Sequence, residues 1–76
     1  MQSIEFNLRG EYVELCNLLK LTGLADSGGR GKIMVAEGLV KVDGQVENRK
    51  TAKIRAGQVV ECAGALITVT TATGIN

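Results

Sequence analysis

Residues 27–44, SGGRGKIMVAEGLVKVDG, hold a helix start, a helix stop, a strand and a tight turn in one short run. Asp26 or Ser27 supplies the side-chain oxygen that a helix N-terminus needs for its unpaired N–H groups. Gly38 stands where a helix ends in the left-handed backbone conformation that glycine adopts without strain. Val40 and Val42 alternate with Lys41, the period of a strand buried on one face. Asp43-Gly44 is a dipeptide that closes a two-residue hairpin. The run predicts a helix–strand–turn unit that leaves Arg30, Lys32 and Lys41 on the side it does not bury.

The first turn of that helix is unusual. Gly28, Gly29 and Gly31 each disfavour helix by about 1 kcal/mol relative to Ala. Three accounts stand side by side: a loop that delays the helix until Lys32, glycines that admit another helix at close range, or bare N–H groups that approach a phosphate.

On the N-terminal side, residues 3–8 alternate Ile4, Phe6 and Leu8 with polar residues, a strand expected at the edge of the sheet. Tyr12, Leu15, Cys16 and Leu19 follow helical spacing. Glu11 and Glu14 are expected near the positive end of that helix dipole, Lys20 near the negative end, and Gly23 after its last turn. On the C-terminal side, short strands are expected over 45–47, 52–54, 58–62 and 66–71, punctuated at Ala56-Gly57 and Ala63-Gly64. Residues 48–53, NRKTAK, form a polar, basic connection, and residues 72–76 a tail with little to bury. These elements predict an α+β fold, with two helices packed on a small, mainly antiparallel sheet.

At 76 residues the chain is expected to be one small domain, residues 1–76, with no room for a large enzyme cleft. Its 45% hydrophobic content argues for a packed core, and its only aromatic residues are Phe6 and Tyr12. No apolar run approaches the roughly 20 residues that span a bilayer, and the N-terminus lacks the pattern of a secretory signal. The default expectation is a cytoplasmic protein with no membrane partner. Cys16 and Cys62 then read as buried thiols rather than a disulfide.

A net charge of +1 conceals a segregation. Residues 27–55 hold seven cations, Arg30, Lys32, Lys41, Arg49, Lys50, Lys53 and Arg55, against three anions, whereas residues 1–26 hold two cations against four anions. A basic middle is the electrostatic footprint of a surface that meets phosphates.

Catalytic chemistry finds no support. Histidine is absent, which removes the commonest general base and metal ligand. The two cysteines form no C-x-x-C pair, so neither a metal nor another cofactor is expected. Gly31-Lys32 lacks the following hydroxyl and the preceding glycine of a phosphate-binding loop. The ending Gly74-Ile75-Asn76 lacks the terminal Gly-Gly through which ubiquitin-like carriers act.

Ser27, Lys32, Gly38, Val40, Val42 and Gly44 fall on positions that make residues 27–44 resemble the signature of the RNA-binding domain named after ribosomal small-subunit protein four, the alpha-L motif. The likeness runs from Tyr12 to Gly64, and is strongest to the small stand-alone bacterial YbcJ-like subfamily. Gly28 stands where the family commonly has Arg, Gly31 where Ala is usual, and Asp43 where Asn is commoner. The resemblance implies a non-enzymatic module for structured RNA, of the ribosomal or transfer class, with other proteins of translation or RNA metabolism as further partners. The RNA-binding residues it implies are Ser27, Arg30, Lys32, Lys41, Arg49, Lys50, Lys53 and Arg55. With two aromatics in the chain, recognition is expected through phosphate geometry and shape. A protein-interaction adaptor on the same fold is the alternative.

Overall fold

The structure is a computed structural model that describes residues 2–71; the expectation for the tail lies outside them. In chain order the elements are β1 (Gln2–Leu8), β2 (Val13–Glu14), α1 (Leu15–Leu21), α2 (Gly28–Ala36), β3 (Val40–Val42), β4 (Gln45–Val46), β5 (Lys53–Ile54), β6 (Val59–Cys62) and β7 (Ala65–Thr71). Five strands form one sheet in the order β1-β7-β6-β3-β4. Every pairing in it is antiparallel except β1 with β7, which run parallel from Gln2 opposite Ala65 to Leu8 opposite Thr71. β1 therefore lies at the edge, as its alternation predicts. The remaining strands, β2 and β5, form a separate antiparallel ribbon, Val13 opposite Ile54 and Glu14 opposite Lys53.

The sheet turns one face to the helices. Leu8, Val40, Val60, Cys62, Ile67 and Val69 point inward from it and meet Leu15, Leu18, Leu19, Met34 and Val35 from α1 and α2. Burying each large aliphatic side chain stabilises the fold by about 1.5–3 kcal/mol. Both cysteines are free and buried, and burial pushes the Cys62 thiol up, so it stays protonated at neutral pH.

The first helix starts later than the sequence predicts, whereas the second starts behind one of the two caps the sequence offers. Tyr12 and Val13 precede α1 instead of opening it, because Val13 and Glu14 pair with β5. Glu14 takes the N-cap position without a side-chain cap bond, so it stays beside the positive end of the helix dipole, whereas Glu11 lies outside the helix, whose first turn holds no acid. The N–H groups of Leu15 and Cys16 donate instead to the carbonyls of Ala52 and Lys50, at 2.9 and 3.0 Å. α2 starts at Gly28, not at Lys32, because the Ser27 hydroxyl oxygen accepts from the Arg30 N–H at 3.1 Å and caps it there.

The ends of the 27–44 unit match their signals. Gly38, at φ +77°, ends α2, with its N–H on the carbonyl of Val35 and the Leu39 N–H on that of Met34, the Schellman pairing. Asp43 and Gly44 both hold positive φ, as the hairpin between β3 and β4 requires. The Asp43 carboxylate reaches across to the start of β6, accepting from the Val59 N–H at 3.0 Å and the Gln58 amide at 3.4 Å. Its negative charge is held by that turn.

Candidate functional site

Cys16 joins three parts of the chain. Its N–H donates to the Lys50 carbonyl at 3.0 Å, fixing the basic connection against the start of α1. On its other side α2 comes so close that a Cβ on Gly31 would lie 2.7 Å from the Cys16 carbonyl oxygen and 3.3 Å from its Cα. Gly31 therefore admits α1 at a distance no side chain allows, which decides among the three accounts of the glycines at that position. The residue after it, Lys32, lines the same surface depression as Lys50.

The depression is open, lined by Lys32 and by residues 48–53. It gathers four of the eight sequence-predicted residues: Lys32, Arg49, Lys50 and Lys53. Asn48 and Thr51, which charge patterning alone passes over, add polar groups to the same wall. Arg49 spends part of its charge locally, since its Nε lies 3.1 Å from Glu47 and its backbone N–H donates to the same carboxylate oxygen. The Arg49 side-chain bond, more than any other influence, holds the Glu47 carboxyl below its ordinary range, so the pair stays ionised at neutral pH.

The other four lie elsewhere. Ser27 is engaged as the cap of α2. Arg30 is exposed two residues from Lys32, and positions so spaced do not share a helix face. Lys41 is exposed on β3 between Val46 and Glu61, its cross-strand neighbours. Arg55 follows β5, with its backbone N–H on Gln58 and its guanidinium over the Tyr12 ring.

The sequence reads Tyr12 as part of a helix face and does not announce this contact. In the structure the Lys53 ammonium lies 5.0 Å and the Arg55 guanidinium 5.8 Å from the ring centroid. Among the described residues no cluster of His, Cys, Asp or Glu is arranged to hold a metal, and no helix is long and apolar enough to cross a membrane.

Comparison with known proteins gives concordant results. A family model described as S4 domain matches residues 6–70. Over 53 residues the chain is 62% identical to YbcJ of Escherichia coli (strain K12), covering 70% of this chain and 76% of that protein. The same figures hold for YbcJ of Shigella flexneri. The solution structure of YbcJ from E. coli is similar with a TM-score of 0.64 and 48% identity, over 93% of this chain and 89% of that one, and its alpha-L motif is described as involved in RNA-binding.

Proposed function

This chain belongs to the S4 domain family, and from that premise we propose that it binds structured RNA, of the ribosomal or transfer class, through the depression between α2 and residues 48–53. Family membership and the RNA-binding descriptions of its relatives indicate a non-enzymatic protein. The observation that carries the proposal is the convergence of Lys32, Arg49, Lys50 and Lys53 on one open concavity.

The mechanism is electrostatic and geometric. Lysine ammonium groups neutralise phosphate oxygens and release condensed counterions, which supplies affinity without reading sequence. The side chains of Asn48 and Thr51 are of the type that bonds phosphate and sugar oxygens, which fixes register along the backbone. An A-form helix offers phosphates and 2′-hydroxyls across a wide, shallow minor groove, and a shallow cationic surface on a rigid scaffold suits that shape better than it suits a base sequence.

Fluorescence anisotropy with a folded RNA hairpin, titrated from low to moderate salt, tests this. Each phosphate contact to duplex contributes roughly 0.9 to the slope of log affinity against log salt, so three or four contacts give a slope of about −3 to −4. A flat profile, or equal binding to an uncharged polymer control, overturns the proposal. Stable capture of a protein partner with no RNA affinity replaces it with the adaptor.

A further inference from the structure

The β2–β5 ribbon has a buried and an exposed face. Val13 and Ile54 sit opposite each other and are 9% and 1% exposed, so they face the core. Extending the same antiparallel register by one step sets Tyr12 opposite Arg55, and both share the outward face with Glu14 and Lys53. Tyr12 is 41% exposed and lies against two cations, one of which, Lys53, also lines the cationic depression. The same ring lines a second depression, between the end of β1 and α1, with Phe6 and Leu21 among its apolar walls and Arg9, Glu14 and Asn17 among its polar ones. Tyr12 thus lines the second depression and lies against Lys53, which lines the first.

From this juxtaposition we propose that Tyr12 is a stacking surface for one unpaired nucleobase of the bound RNA, received into the second depression while neighbouring phosphates lie along the first. The inference rests on the RNA-binding reading above and adds to it a preference for RNA with an unpaired nucleotide beside a helix. Charge complementarity selects this occupant. A phosphate is drawn to Lys53 and Arg55, but in the second depression the one lining cation, Arg9, is offset by Glu14, and the negative face of the tyrosine ring repels an anion. A base has no net charge, stacks on an aromatic face, and offers amino and imino donors to a carboxylate and an amide. Lys53 and Arg55 hold the backbone on either side of the flipped nucleotide and add cation–π attraction to the ring.

Two RNA hairpins test it, identical except for a single unpaired 2-aminopurine beside the stem in one of them. Base–aromatic stacking corresponds to a preference of roughly 5- to 150-fold for the hairpin with the unpaired base, and to quenching of its fluorescence on binding. Tyr12→Phe keeps the preference and the quenching. Tyr12→Ala removes both, while the salt slope, set by phosphate contacts, stays unchanged. If Tyr12→Ala fails to fold, the wild-type preference and the wild-type fluorescence decide by themselves. Equal affinity for the two hairpins with salt dependence intact overturns the stacking inference and leaves the RNA-binding reading standing. Binding to neither hairpin overturns that reading and this inference together.

Discussion

A methyl group on Gly31 would meet the backbone of Cys16, whereas one on Gly28, a turn earlier in α2, would meet nothing within 4 Å. Backbone cannot yield as the tip of a flexible side chain can, so the helices must separate. Gly31→Ala is therefore expected to destabilise by about 1–3 kcal/mol, the range for overpacking, despite a gain in helix propensity of up to about 1 kcal/mol. Gly28→Ala collects the propensity without the clash and is expected to be neutral or stabilising by up to about 1 kcal/mol. Urea midpoints of the two variants check the pair, and equal midpoints would sink the close-approach account. The same reasoning finds a position that is not optimal. Ala63 holds φ +53° in the two-residue turn between β6 and β7, a conformation that strains an L side chain by about 1 kcal/mol. Ala63→Asn, which tolerates that region, should raise the urea midpoint, and a lowered midpoint would count against strain there. Asp43, at φ +52°, already has the chemistry its turn needs and uses its carboxylate to tie that turn to β6.

Helix starts show how much an element reveals of itself. α2 carries its own cap, Ser27, and the sequence reveals it because the oxygen and the N–H it serves lie three residues apart. α1 is capped by the carbonyls of Ala52 and Lys50, more than thirty residues away, and no local residue type announces such a bond. That is why β1, β6 and β7 are legible in the sequence and the strand expected over 52–54 covers β5, while β2, two residues that pair only with that distant strand, reads as part of the first helix. The candidate site divides along the same line. Cations can be recognised by type, but which of them meet depends on a helix start completed by distant backbone. Ser27→Ala should cost about 1 kcal/mol through the lost cap, seen as a lower urea midpoint and faster exchange of the Arg30 amide. Ser27→Asn keeps a capping oxygen without adding charge, and should preserve both stability and RNA affinity. An affinity loss in a Ser27→Asn protein of unchanged stability would give the hydroxyl a direct RNA contact in addition to its cap.

At the scale of the whole molecule, a chain of net charge +1 attracts polyanions weakly unless its cations are concentrated. The fold concentrates some of the basic middle and disperses the rest: Lys32 and Lys50 line one concavity, whereas Lys41 lies on the sheet beside Glu61; outside that middle, Lys20 lies in the last turn of α1. The four lysines are all exposed and none makes an ion pair among the described residues, so removing any of them should change stability by no more than about 0.5 kcal/mol. This makes them a controlled comparison of position at constant charge. Lys32→Ala with Lys50→Ala removes two units of charge from the depression, and Lys20→Ala with Lys41→Ala removes the same two units from outside it. The first pair should weaken hairpin binding by at least tenfold at low salt and reduce the salt slope by roughly 2, one unit for each lost phosphate contact. The second pair loses only long-range attraction, which a Debye length of about 10 Å at 0.1 M salt largely screens, so its affinity should approach that of the unaltered protein as salt rises. Matching losses and matching slopes in the two double variants would mean that total charge governs binding, and the depression between α2 and residues 48–53 would lose its standing as the site.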